Sequence, residues 1–447
     1  MNRGVNFHRL LLAAGLFFVF FSCASSPDAY AQIDSGVQAG SYENALASLD
    51  DKKGPARRAV YTPKNQILLY LDRGMIAHYA GLYTDSSQDL QTAEQMIEDA
   101  FTKSISQEIG SYLLNDNMKD YPGEDYEDMY INVFNSLNYY FENNLEGSLV
   151  EIRRLNEKLN FFADKYQRAT KKVLDSNQQV DPGQLPMEAS KFSNSALARY
   201  LGILFYRGTG RTDSARIDFE ELGRAYSLAP EVYTNPIPSS VEGELSIPQG
   251  KARFNVIAFT GLSPVKEQFN IPIPLPFPFP NNMARLALPR MVSRVQTVQW
   301  AEAVLDTGEK IRLELLEDMG AVARETFKSR HGLVVLKTTA RAIAKAATSA
   351  SLALAASSSS NRKQGNDGLG SLVGLMGRVF TEVSEQADTR LSRYFPSYAL
   401  VGGINLDPGV YNVTVNFYGN AGLVNSQREE IVIRENTLNL KEFVCLK

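Results

Sequence analysis

Residues 62–101 read TPKNQILLYLDRGMIAHYAGLYTDSSQDLQTAEQMIEDAF. Thr62-Pro63 is a helix start: threonine caps, and proline at the first helical position loses an N–H that would be unpaired anyway. Ile67, Leu68, Leu71, Met75, Tyr79 and Leu82 then fall mainly on one helical face. After Gly81-Leu82-Tyr83 a second helix follows, with Leu90, Ala93, Ile97 and Phe101 at helical spacing. Gly74 and Ala93 are small enough for two antiparallel helices to approach, while Tyr83 and Leu90 fill the groove between them.

Two later segments repeat this pattern of small and bulky positions. Ser136, Tyr139, Leu145, Ser148, Ile152 and Leu155 do so across the turn Asn143-Asn144. Gly202, Phe205, Ala215, Phe219 and Leu222 do so across Gly208-Thr209-Gly210, and the run ends at Pro230. The pattern resembles the tetratricopeptide repeat, although Gly74 and Ser136 lie 62 residues apart and a tandem unit spans about 34. An irregular helical bundle with the same amphipathic faces is the alternative.

Upstream, Arg3, His8 and Arg9 precede an apolar run from Leu10 to Phe21, then Ser22 and Cys23. The run is about half the roughly 20 residues needed to span a bilayer, so it reads as an export signal over residues 1–22. Cys23 in that position resembles the acylated cysteine of bacterial lipoproteins, which implies a lipid anchor. Phe20-Phe21-Ser22 departs from the usual lipobox, and Ala29-Tyr30-Ala31 before Gln32 is a competing site for ordinary secretion. Residues 23–60, rich in Ser, Ala, Asp and Gly, read as a flexible tether. Cys445 is the only other cysteine, so an acylated Cys23 would leave no intrachain disulfide.

The chain carries a formal charge of −4, and residues 1–22 hold two arginines and no acid, so their removal gives −6. With no basic tract, nucleic acid is an unfavourable partner, because phosphate contacts need clustered Lys and Arg.

Downstream of a helical-repeat region at 61–238, the character changes over 239–447. Residues 252–260 read as a strand that ends at Gly261-Leu262-Ser263-Pro264. Residues 271–280 carry a proline at every second position, so they cannot form a central strand. They read as an extended edge or arm whose Phe277 and Phe279 pack on their own domain or dock on a partner or lipid. Leu313, Leu316, Met319, Val322 and Phe327 suggest a helix, and an alanine-rich second helix starts near Thr338. With Gly370, Gly374 and Gly377 this predicts a tightly packed small-residue helical hairpin; Arg341, Lys345 and Arg378 interrupt both arms and argue against membrane insertion. Asp407-Pro408-Gly409 is a turn, and Tyr411, Val413, Val415 and Phe417 alternate on one strand face. The expected class is α+β: all-α tetratricopeptide-like repeats, then a mixed domain with an antiparallel meander or sandwich.

Between the first two helix pairs stand Asn115-Asp116-Asn117 and Tyr121-Pro122-Gly123-Glu124-Asp125-Tyr126-Glu127. Together with Ala387-Asp388-Thr389-Arg390 and the surrounding helices, this stretch resembles a family of uncharacterised bacterial envelope lipoproteins with tetratricopeptide-like repeats. The resemblance covers most of residues 60–447 and implies envelope location and repeat-mediated binding. The acidic loop lacks the alternating carboxylates of a calcium-binding hand, and Pro122-Gly123 is turn chemistry. Asp125 is expected to cap the next helix with Tyr121 packed beneath it, and Tyr121, Glu124 and Tyr126 are candidate partner contacts. Asp388 and Arg390 are expected to form a structural ion pair across a helix end.

No catalytic motif accompanies His78 or His331, and no cofactor or metal signature occurs. The leading reading is a lipid-anchored scaffold at the outer membrane that holds an envelope protein or peptide. Glycan capture, which would need an aromatic platform around Trp300, and a cell-wall-acting enzyme are the alternatives.

Overall fold

A computed structural model describes residues 26–106, 119–176, 183, 185, 188–274, 283–359 and 386–447. Its first half is helical: α1 (Ser26–Ala39), α2 (Tyr42–Asp50), α3 (Pro55–Ala59), α4 (Gln66–Tyr79), α5 (Tyr83–Ser106), α6 (Asp125–Phe141), α7 (Leu145–Ser176), α8 (Ala196–Gly208) and α9 (Thr212–Leu228). Four of the connections, α1–α2, α4–α5, α6–α7 and α8–α9, use one turn. Gly40, Gly81, Asn143 and Gly210 each take a positive φ, between 61° and 74°. The residue after each returns a backbone hydrogen bond to the carbonyl five positions back: Ser41 to Gly36, Leu82 to Ala77, Asn144 to Tyr139 and Arg211 to Tyr206. That is the Schellman closure, which needs the left-handed conformation that glycine and asparagine adopt most cheaply.

Five residues beyond each turn residue stands a small, fully buried side chain: Ala45, Ser86, Ser148 and Ala215. It lets the second helix lie against the first. Close approach is tight at Gly74, where a Cβ would come within 2.8 Å of Leu90, and tighter still at Gly202 against Asp218.

Residues 26–59 therefore correct the expected tether. They form the first of these hairpins plus α3, and Ile33, Val37, Ala45 and Leu49 enter the main core. Their apolar residues recur at helical spacing among the small polar residues that suggested a flexible segment.

The second half is built on β1 (Ala252–Leu262), β2 (Val265–Pro274), β3 (Met283–Val292), β4 (Trp300–Leu305), β5 (Lys310–Asp318), α10 (Met319–Ser359), β6 (Pro396–Leu406), β7 (Gly409–Gly419), β8 (Gly422–Ile433) and β9 (Asn439–Cys445). Seven strands form one sheet in the order β8-β7-β4-β5-β6-β1-β9, antiparallel except for the β1–β9 pair. β1 is buried at every position and serves two cores by alternation. Phe254, Val256 and Ala258 face a core enclosed by the sheet, with Val413, Val415, Phe417, Ile431 and Phe443. Ile257 and Phe259 face the helices, where Phe259 meets Phe134 at 5.1 Å. The two edge strands approach each other: Gln427 donates to the Val444 carbonyl at 2.7 Å and Lys441 pairs with Glu429. One sheet thus curls almost into a barrel where a meander or small sandwich-like sheet is expected. The α+β class stands, and one continuous core crosses the expected boundary at 238/239.

The 311–358 region differs as well. Ile311 and Leu313 are buried while Lys310 and Arg312 are exposed, a period of two, and this segment pairs with β4 and β6. The helical spacing read through Leu313, Leu316 and Met319 lost to that alternation. The helix begins only at Met319, where the Asp318 carboxylate caps it through Ala321 N–H at 2.7 Å, and it runs unbroken to Ser359. The second arm of the expected small-residue hairpin, with Gly370, Gly374 and Gly377, lies outside the described residues.

The proline-alternating arm begins as β2, which pairs only with β3 in a two-stranded ribbon. Pro272 and Pro274 share one edge of β2, where a missing N–H removes no ladder bond to β3. Residues 275–282, including Phe277 and Phe279, lie outside the described residues.

Candidate functional site

The loop before α6 is fixed by backbone first. Tyr121 N–H donates to the Lys64 carbonyl at 2.8 Å. Gly123 turns at φ 76° against Ile97, where a Cβ would stand 2.7 Å from the isoleucine. Glu124, not Asp125, is the cap of α6, in a reciprocal capping box with Glu127. The cap falls one residue early because Asp125 instead pairs with Lys165 at 2.7 Å.

This loop forms one wall of a cleft of about 710 Å³ bounded by α4, α5, α7 and α10. Its described lining holds nine Lys or Arg and five Asp or Glu, so it is cationic in a chain whose net charge is −4. The floor is ionic and aromatic. Glu124, only 2 % exposed, pairs with Lys266 and with Arg330 at 3.2 Å. The Lys266 ammonium lies 5.9 Å above Tyr121 and 5.5 Å above Phe327. Lys165 sits over Phe101 at 4.8 Å. Lys64 and Arg168 stand exposed at the rim.

A strap, residues 386–395, closes one side and ties helices to sheet. Ser392 donates its N–H to Glu127 at 2.6 Å and its hydroxyl to Asp72 at 2.7 Å. Arg393 N–H also donates to Asp72, and its guanidinium grips Asp34. Arg390 pairs with Asp388 at 2.7 Å and reaches Asn65 and the Lys119 carbonyl. The expected ion pair exists, but on an irregular strap and not at a helix end. Burial pushes the Asp72 carboxyl up to about 6 against the pull of these donors. Burial, reinforced by the Glu124 charge, pushes Glu127 up to about 7.

The three loop candidates divide. Tyr121 and Glu124 border the cleft, yet both are sealed beneath its surface; Tyr121 donates its hydroxyl to Glu127 at 2.7 Å. Tyr126 is core, packed on Tyr130 and Phe395. They brace the site, and a partner would first meet the lysines and arginines above them. Cys23 lies outside the described residues, and Cys445 is a buried free thiol.

Two polar centres escaped the sequence reading. Glu317 accepts from the hydroxyls of Tyr130 (2.8 Å), Tyr233 (2.6 Å) and Ser195 (2.9 Å) and from Leu197 N–H (3.2 Å), joining α6, α8 and β5. Burial raises its pKa despite these donors. His78 lies between Asn138 Oδ1 at 2.6 Å and Glu442 Oε1 at 2.9 Å. The Asn138 amide group donates to Ser86 and Ser87, which turns its oxygen to the ring. Each ring nitrogen then has an acceptor, Asn138 Oδ1 on one side and Glu442 Oε1 on the other, an arrangement that favours the protonated ring. Burial alone would lower its pKa, but the Glu442 charge and hydrogen bond raise it.

No group of three or more His, Cys, Asp or Glu among the described residues is disposed to hold a metal ion. No helix among them is long and apolar enough to cross a membrane. No family model, curated protein or solved structure matches this chain.

Proposed function

We propose that the chain is an envelope lipoprotein, anchored at the outer membrane through Cys23, that acts as a binding scaffold for another envelope protein or peptide. The observation that carries this reading is the fourfold recurrence of one hairpin: a left-handed turn residue at Gly40, Gly81, Asn143 and Gly210, with a small buried residue five positions on. The recurrence supports a tetratricopeptide-like array, and with it the resemblance to lipoproteins that carry such repeats. Arrays of this kind present a surface built from several units. The cationic cleft suits a segment rich in carboxylates, because rim charges such as Lys64 and Arg168 steer and orient an acidic partner.

Glycan capture has weaker support. Trp300 is stacked on Tyr418 at 4.0 Å on one flank and covered by Arg312 at 4.0 Å on the other, which leaves no open ring face for a sugar.

Photo-crosslinking from the cleft-lining Gln66 and Lys172 positions in intact envelopes tests the proposal. A captured protein or peptide, lost in Lys64→Glu/Arg168→Glu, supports the scaffold. Captured glycan supports the alternative, and capture that ignores the charge reversal contradicts the cleft as the site.

A further inference from the structure

The start of α1 and the loop after α2 lie at the same end of the molecule. A Cβ at Gly36 would stand 3.0 Å from that of Ala45, so counting outward along the hairpin places Asp50 opposite Ala31. Tyr61 then meets Tyr30 edge-on at 6.1 Å. The intervening residues 51–60 are bracketed beside the first turns of α1, and Ser26 is only about 6 Å further along the helix axis from Tyr30. Cys23 is three residues from Ser26, so at most about 10 Å of chain separates the acylated residue from the folded body.

That bracketed loop is cationic. Lys52, Lys53 and Arg58 are exposed and Arg57 is half-buried, and no carboxylate pairs with any of the four among the described residues. Asp50 is engaged by Arg73 at 3.4 Å, and Asp51 accepts the Lys53 N–H at 2.9 Å. Counted against Asp51 and Asp28, the four cations leave the patch positive.

We propose that this loop is a second membrane contact, in which Lys52, Lys53 and Arg58 dock on anionic lipid headgroups beside the acyl anchor. The proposal rests on the reading of Cys23 as the lipid-bearing residue, which sets this end of the molecule against the bilayer. A short connection and a basic patch next to it hold the body in one orientation, with α1 at the lipid surface. Clustered Lys and Arg at an anionic surface act additively and are screened by salt.

The test uses the mature chain, residues 23–447 with Cys23→Ser to remove the acyl group, mixed with phosphatidylcholine vesicles with or without phosphatidylglycerol. Cosedimentation is expected only with phosphatidylglycerol present and is expected to weaken as salt rises. In Lys52→Gln/Lys53→Gln/Arg58→Gln the affinity falls about fivefold for each charge removed, about a hundredfold in all. An unchanged thermal midpoint in the triple variant shows that the fold is intact. Equal binding by the two chains, binding indifferent to phosphatidylglycerol, or no binding by either overturns the proposal. Failure of the anchor reading is seen separately, as absence of an acyl group from Cys23 in the chain made in its own envelope.

Discussion

Glu317 and Glu124 are both buried carboxylates that join elements distant in sequence, and they are held by opposite means. Glu317 is surrounded by hydroxyls and one backbone N–H, with no cation paired to it among the described residues. Glu124 is clasped by Lys266 and Arg330 at the wall of the cleft. A hydroxyl shell suits a junction that must only hold: its donors are short, directional and contributed by three elements at once. An ionic shell keeps charge at an opening, where an approaching acidic group would feel it. The first region defines the fold, and the second presents chemistry.

The contrast breaks most visibly at Glu317. Glu317→Ala leaves the hydroxyls of Tyr130, Tyr233 and Ser195 without their acceptor, so urea unfolding should show a loss on the order of 4 kcal/mol. A loss below about 1 kcal/mol would mean that those hydroxyls find other acceptors and that Glu317 is no junction.

Acidity comes next. Asp72 and Glu127 bind protons more tightly when folded, so stability falls as pH rises above the ordinary carboxylate range, until they ionise near pH 6 and 7 in the folded state. The His78 contribution is complete below the ordinary histidine value of about 6.5 and is lost as pH climbs through its raised value. All three push the same way, and chemical unfolding should show the protein on the order of 3 kcal/mol more stable at pH 5 than at pH 8. Glu127→Gln should flatten that slope; a slope of opposite sign would sink this assignment.

Lys266→Met follows, with an expected cost of about 2 kcal/mol, moderated because Arg330 still neutralises Glu124. Adding Glu124→Gln should restore part of the loss, a coupling that a double-mutant cycle measures directly. Strict additivity would mean that the pair does not interact. The smallest effect on stability is expected from Lys64→Glu with Arg168→Glu, within about 0.5 kcal/mol, while partner capture is lost.

The same contrast separates what was legible from what was not. The helix pairs could be read because Gly74, Ala93, Ser148 and Ala215 are small at positions where amphipathic helices must touch. The hairpin at Gly40 follows the same rule but was hidden by a composition that resembles a flexible segment. Strand β7 was legible from clean alternation, whereas β5 was masked because Leu313, Leu316 and Met319 also satisfy helical spacing. That Asp72, Glu127 and Glu317 are buried was not legible, and Glu317 with Asp318 reads as solvated surface, for one reason. A buried acid looks like a surface acid until its donors are known, and those donors lie as far away as Ser392 and Tyr233. The usable signal was positional: Asp72 sits on the apolar face of its helix, beside Leu71 and Met75.

Membrane attachment and the orientation of the body both turn on where the mature chain begins. Among the described residues α1 comes first, and cleavage after Ala31 would cut that helix and remove Tyr30, which packs on Tyr61 and beneath the Arg393 guanidinium at 4.5 Å. Intact-mass measurement of the protein isolated from its native envelope is the most direct test. The expected chain starts at Cys23 and carries acyl groups. A chain that starts at Gln32 with no added mass would contradict that expectation.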